Sequence, residues 1–254
     1  MRLLKNIIVP APYSIIFLKN HNVLILADIH IGYESYLKER GIYLPQQSYH
    51  QMRSIIEKAI NITKAKSLIF LGDVKHEFGK PSPQEWIEVK DLLSFLLNNG
   101  LEVHLVRGNH DNYIIAILSK FNIPLHDPYM MIDNILLFHG HKDIDIPKDV
   151  NVIIMGHEHP AVSSKDYTGS RYKFKCFLIG KMNNRRKLIV LPSFSPFSPG
   201  MGINEISKNE LLSPLLRSID IDSFTPIVVE EGVGVFRFPQ IGLMRSIIKL
   251  RNAY

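Results

Sequence analysis

Short apolar runs recur along the first two-thirds of the chain: VLILA at 23–27, LIFL at 68–71, VHLV at 103–106, ILLF at 135–138 and VIIM at 152–155. Continuous runs of this length read as buried strands. Helical patterns lie between them. In QQSYHQMRSIIEKAI, Tyr49, Met52, Ile56 and Ala59 fall at helical spacing. The next helix is punctuated at both ends, with Ser82 as N-cap, Pro83 at the first helical position, Glu85 completing a capping box and Gly100 as the stop. Its buried stripe is expected at Trp86, Val89, Leu93 and Leu96. Strands alternating with helices predict a layered α/β domain.

Past residue 160 the pattern changes. RYKFKCFLIG (171–180), KLIVLPSF (187–194), PIVVE (226–230) and GVGVFRF (232–238) read as strands, with a helix around 209–219 among them. They predict a second sheet packed on the first, within a single domain over residues 1–254. The start, MRLLKNIIVPAPYSIIFL, has the basic and apolar parts of a secretory leader. Pro10 and Pro12 break it and no small-residue cleavage site follows, so it reads as an opening strand. LPSFSPFSPG (191–200) holds too much Pro and Ser for a strand. It reads either as a rigid loop with buried aromatics or as a cleft wall offering Phe194 and Phe197 to bases.

Composition narrows the class. With 46% hydrophobic and 21% charged residues, 254 residues suffice for a large soluble core. A single cysteine, Cys176, excludes an internal disulfide framework and fits a reducing, cytoplasmic setting. No apolar run approaches the ~20 residues that span a bilayer, so no membrane association is expected. A net charge of +6 leans toward an anionic partner.

The chemistry lies where the apolar runs stop. The first ends at Asp28 and His30, the second at Asp73, the third at Asn109, His110 and Asp111, the fourth at His139 and His141, and the fifth at His157 and His159. Singly, each has an ordinary reading as a cap or turn residue. Five such ends share one kind of position, because the carboxyl ends of strands in an open α/β sheet converge on one crevice. Imidazoles and carboxylates with almost no thiol suit manganese, zinc or iron. Seven such groups exceed one tetrahedral ion and suffice for two ions sharing a carboxylate, a pair that can clamp a phosphoryl group. The residues point to hydrolysis of phosphate esters.

The series D-x-H, G-D, G-N-H-D, H-G-H and G-H-x-H, here Asp28/His30, Gly72-Asp73, Gly108-Asn109-His110-Asp111, His139-Gly140-His141 and Gly156-His157-Glu158-His159, resembles the calcineurin-like metallophosphoesterases. LADIHIGYESYLKERGIYLP and LGDVKHEFG are similar to a narrower group, the SbcD-related archaeal phosphoesterases, themselves similar to the DNA-ligase-associated metallophosphoesterases. The resemblance implies a four-layer α-β-β-α sandwich of two mixed sheets flanked by helices. It implies two divalent ions, manganese by preference, with zinc, iron or magnesium as alternatives. One ion would take Asp28, His30, Asp73 and His159, and the other Asp73, Asn109, His139 and His157. A metal-bridging hydroxide would attack phosphorus, and His110, oriented by Asp111, would protonate the leaving oxygen. Glu158 would point away, and His141 would be pocket wall.

Several readings stay open. Lys75 and His76 either grip substrate phosphate or belong to a solvated loop, and Arg185, Arg186 and Lys187 form either a solvated hairpin tip or a phosphate-backbone contact. The leading function is a metal-dependent phosphodiesterase, a nuclease in DNA processing or repair. The alternative is a phosphatase or phosphodiesterase acting on small nucleotides or phosphoproteins. A non-enzymatic scaffold would have lost metal ligands, and none is lost here. Only 95 residues follow His159, too few for the capping domain of SbcD-type nucleases beside a second sheet. The chain therefore either needs a partner, such as a helicase or ATPase, or acts on single strands or small esters.

Overall fold

An apolar run without alternation needs cover on both faces, and two stacked sheets with a helical layer outside each provide it. The computed structural model describes residues 1–44, 47–182 and 186–251. The first sheet takes its strands in chain order: β1 (Arg2–Leu4), β2 (Ile7–Ile8), β3 (Ile16–Leu18), β4 (Val23–Leu26), β5 (Ser67–Leu71), β6 (Glu102–Val106) and β7 (Leu125–His126). Neighbours from β1 to β4 are antiparallel, and those from β4 to β7 are parallel. The parallel crossovers carry α1 (Tyr33–Glu39), α2 (Ser48–Thr63), α3 (Pro83–Asn98) and α4 (Ile115–Leu118).

The second sheet contains β8 (Tyr129–Ile132), β9 (Ile135–Phe138), β10 (Val152–Met155), β11 (Pro160–Lys165), β12 (Arg171–Lys181), β13 (Lys187–Val190) and β14 (Met201–Gly202). Its order is β14-β11-β12-β13-β10-β9-β8, and β15 (Thr225–Glu230) and β16 (Gly234–Arg237) extend it from β12. Helices α5 (Pro214–Ser218) and α6 (Ile241–Arg251) lie in its outer layer, where Leu216 and Ile241 join the core.

Side chains divide between layers with the two-residue period of a strand. Along β4, Leu24 and Leu26 pack under the first helical layer, while Val23 and Ile25 enter the core between the sheets. Along β10, Ile154 meets Leu137 of β9 between the sheets, while Ile153 and Met155 face the outer core. All of these side chains are buried, where truncation to Ala costs ~2–5 kcal/mol.

The four-layer sandwich agrees with expectation, but its division between sheets does not. β4, β5 and β6 lie in the first sheet, whereas β9 and β10 already belong to the second. A run buried on both faces looks the same in either sheet, so the pattern could not assign it. The opening segment folds as three short strands, not one. The helix expected at 209–219 is a 3-10 turn, Lys208–Glu210, followed by α5. α3 has the expected caps, with Leu92 in its buried stripe and Trp86 only partly buried. Among the described residues, no helix is long and apolar enough to cross a membrane.

Candidate metal centre

The parallel strands of both sheets end at one rim, and the loops there are tied to each other. The amides of Asp28 and His30 donate to the carbonyls of Gly72 and Asp73 (3.1 and 3.0 Å), and the amide of Gly156 donates to that of His139 (3.0 Å). Asp28, His30, Asp73, His157 and His159 all have φ between 48° and 67°. That left-handed region is strained for residues other than glycine, and Asp and His tolerate it better than most. Five of the seven expected ligands thus sit in a backbone conformation that most residue types avoid. Glycines give the ligands room. A Cβ on Gly72 would lie 2.1 Å from His139 Nδ1, and one on Gly108 2.2 Å from Asp73 Oδ1.

Among the described residues, three groups of three side chains bring their ligating atoms within 4.8 Å of one another: Asp28 with His30 and His159, Asp73 with His139 and His157, and His30 with His76 and His110. The first two pair a carboxylate with imidazoles. Asn109 joins the second group, its Oδ1 3.1 Å from His139 Nε2. Each carboxylate has one oxygen held by backbone and one turned toward the imidazoles. Asp28 Oδ2 accepts from the amide of His157 (3.0 Å), and Asp73 Oδ1 from that of His110 (2.9 Å). Asp28 Oδ1 faces His159 Nε2 at 3.2 Å, yet both atoms are buried without a hydrogen bond. Asp73 Oδ2 lies 3.3 Å from His139 Nε2, 3.9 Å from His30 Nε2 and 4.0 Å from His110 Nε2. Orphaned polar atoms are rare in protein interiors. A set of orphaned and half-used nitrogen and oxygen donors fits divalent cations.

Charge agrees with that reading. Burial opposes ionisation of Asp28 and Asp73, but neighbouring imidazoles outweigh it and both carboxyls fall below the usual range. Burial works against the His139 imidazolium too, and the two carboxylates nevertheless raise its pKa to about 9, so a cation bound there would take the place of that ring's proton. Burial depresses His30 and His157 to about 3, which keeps them neutral as metal ligands must be. Outer hydrogen bonds fix the rings. His139 Nδ1 sits 2.9 Å from the Leu71 carbonyl, and His159 Nδ1 2.9 Å from Ser198 Oγ, leaving each Nε2 for an ion.

The remaining expectations divide. Glu158 turns away as expected, its carboxylate accepting from the amides of Leu212 (3.1 Å) and Ser213 (2.9 Å). His141 is a wall residue, its ring 5.2 Å from that of His139. Asp111 does not orient His110. Its buried carboxylate accepts from the amides of Asp73 and Gly108 (both 2.8 Å) and Val74 (2.9 Å), clamping two strand-end loops together. His110 is oriented instead through Nδ1 on the His76 carbonyl. Lys75 is neither a phosphate grip nor a solvated side chain, because it is buried with its amine on the carbonyls of Glu77 and Gly79. His76 is at the site, its ring 5.5 Å from that of His30.

Phe194 packs in the core as a rigid-loop aromatic, whereas Phe197 stacks on Tyr33 at 5.7 Å. Arg185 lies outside the described residues. Arg186 bonds to the carbonyls of Pro147 and Val150, and Lys187 pairs with Val152, the first residue of β10, so these two residues lie at the strand end opposite the candidate metal centre. Sequence reasoning missed Ser193, Ser195 and Ser198. Ser193 Oγ and the Ser195 amide both bond to the Asp28 carbonyl (2.8 and 3.1 Å), so this Ser-rich stretch supports the metal centre. The density of serine was the available signal.

Asp111→Ala is therefore expected to act on stability. It strands three buried amide donors, each worth ~1–3 kcal/mol when unpaired, so urea denaturation should show a loss of roughly 3 kcal/mol or more. A loss below about 0.5 kcal/mol, the size of an ordinary surface change, would contradict the clamp.

The fold is shared with a solved structure. A nuclease MPE from Pseudomonas putida aligns over 89% of this chain and 92% of its own, at 20% identity and a TM-score of 0.63. Yfce, a phosphoesterase from E. coli, aligns over 85% of this chain and 97% of its own, at 15% identity and a TM-score of 0.43. No curated protein matches the sequence. The sequence model for calcineurin-like phosphoesterases matches residues 21–179, which carry every ligand-type residue at the rim, and the chain belongs to that family.

Proposed function

We propose that the protein is a phosphodiesterase working with two divalent ions, manganese by preference, and that its substrate is nucleic acid. The observation that carries the two-ion reading is Asp73 Oδ2, within 4.0 Å of imidazoles from both ligand groups. Asp28, His30, Asp73 and His159 would hold one ion, and Asp73, Asn109, His139 and His157 the other. When bound, such a pair supplies Lewis acidity toward the phosphoryl oxygens and a nucleophile at neutral pH. The chain's own part is orientation and proton transfer. His110 is held by Nδ1 on the His76 carbonyl, which leaves Nε2 facing the centre to protonate a departing oxygen.

The nucleic-acid reading rests on the basic excess of +6 and on aromatic rings at the site. The similarity of LGDVKHEFG to the SbcD-related group points the same way.

The test is hydrolysis by purified protein with manganese, magnesium, zinc or EDTA. The substrates are a nitrophenyl phosphodiester, a nitrophenyl phosphomonoester, and single- and double-stranded DNA and RNA. Manganese-dependent cleavage of the diester and of at least one nucleic acid is expected. Hydrolysis of the monoester alone would overturn the proposal.

A further inference from the structure

Phe78 is 55% exposed, yet its ring lies 3.7 Å from that of His110, centroid to centroid, with the planes 31° apart. Lone exposed apolar side chains are ordinary on protein surfaces. This one is held in place. The Glu85 carboxylate accepts from the amides of His76 (2.9 Å), Glu77 (2.7 Å) and Ser82 (2.7 Å), fastening both ends of the loop that carries Phe78. From inside, the Lys75 amine ties the carbonyls of Glu77 and Gly79, one on each side of Phe78. The other rings near the site are engaged with one another. Tyr33 stacks on Phe197, and both Tyr33 and Tyr36 pack edge-on against His76. Among the described residues Phe78 stacks on no ring but His110 and belongs to none of the hydrophobic cores.

We propose that Phe78 is a stacking platform for the nucleobase on the leaving side of the scissile bond, so that the site selects nucleotide esters over esters lacking that base. The inference rests on the phosphodiesterase reading above. A leaving oxygen must come within hydrogen-bond reach of His110 Nε2 to receive its proton. The nucleoside attached to that oxygen then lies beside the ring stacked on His110. Stacking on an aromatic side chain accepts any base, because every base has a π-face. Phe78 thereby confers selectivity for nucleotides without selectivity for sequence.

The test uses the manganese-loaded protein and three diesters: a thymidine dinucleotide, and the same dinucleotide with one or the other base replaced by an abasic ring. Removing the leaving-side base from the substrate should lower kcat/KM by about five- to a hundredfold, the span that stacking one base provides. In Phe78→Ala that ratio should fall toward one, and Phe78→Trp should keep it. Melting temperature and metal content verify that each variant is folded and loaded. If Phe78→Ala lowers kcat/KM equally on all three diesters, the ring only covers His110 and the inference fails. A ratio that survives in Phe78→Ala overturns it as well. If the protein hydrolyses a nitrophenyl diester and no dinucleotide, the nucleic-acid reading fails and takes this inference with it. Cleavage of all three dinucleotides at equal rates removes the Phe78 inference alone.

Discussion

Asp73→Asn is expected to lower turnover on every phosphodiester by more than about 100-fold while the protein stays folded. Losing an outer partner of a metal ligand costs roughly 10–100-fold in affinity or activity, and Asp73 is assigned to both ions at once. The substitution keeps the shape of the side chain and the Oδ1 acceptor for the His110 amide. It removes the charge at Oδ2, the atom that faces His30 and His139. Metal content should fall below two ions per chain, and the melting temperature should not collapse. Retention of two ions with a near-normal rate would mean that Asp73 is not shared.

His110→Ala should behave differently. It contributes a proton and not a ligand, so both ions should remain bound while kcat on DNA falls by about 10²–10⁴-fold. The loss should depend on the leaving group. A deoxyribose alkoxide needs a proton as its bond breaks, whereas a nitrophenolate departs unassisted. The variant should therefore keep far more activity on a nitrophenyl diester. Equal impairment on both substrates with ions retained would remove His110 as the acid and leave the metal centre standing. Loss of an ion would make it a ligand.

What was legible in the sequence was local. The capping box of α3 needs only Ser82, Pro83 and Glu85 in the right order, and both its reciprocal hydrogen bonds form. The candidate ligands stand out in the sequence because each apolar run stops at a metal-ligand type, and the structure brings Asp28, His30 and His159, and Asp73, His139 and His157, into two clusters. The illegible parts depend on partners distant in the chain. Asp111 adjoins His110 and the family resemblance pairs the two, but its carboxylate is consumed by amides of residues 73, 74 and 108.

The same holds for charge and for position. Lys75 reads as a phosphate grip or a solvated loop residue and is instead buried, because the carbonyls of its own loop close over its amine. Glu34 caps α2 through the amides of Gln47 and Ser48 (both 3.1 Å), a buried role that no periodicity announces. The division of the runs between two sheets was hidden for a related reason. Leu137 and Ile154 face the same core as Ile25 and Ile69 from the opposite side, and nothing in four apolar letters records which side that is.

The central claim is that two ions sit between the sheets' strand ends and share Asp73. The most direct measurement is the number of divalent ions per chain. Protein stripped by chelation is reloaded with manganese, dialysed, and analysed for metal while diester hydrolysis is followed on the same samples. The account predicts two ions per chain, with activity lost in EDTA and restored by manganese. A single ion at saturation, or undiminished hydrolysis by the stripped protein, would contradict it.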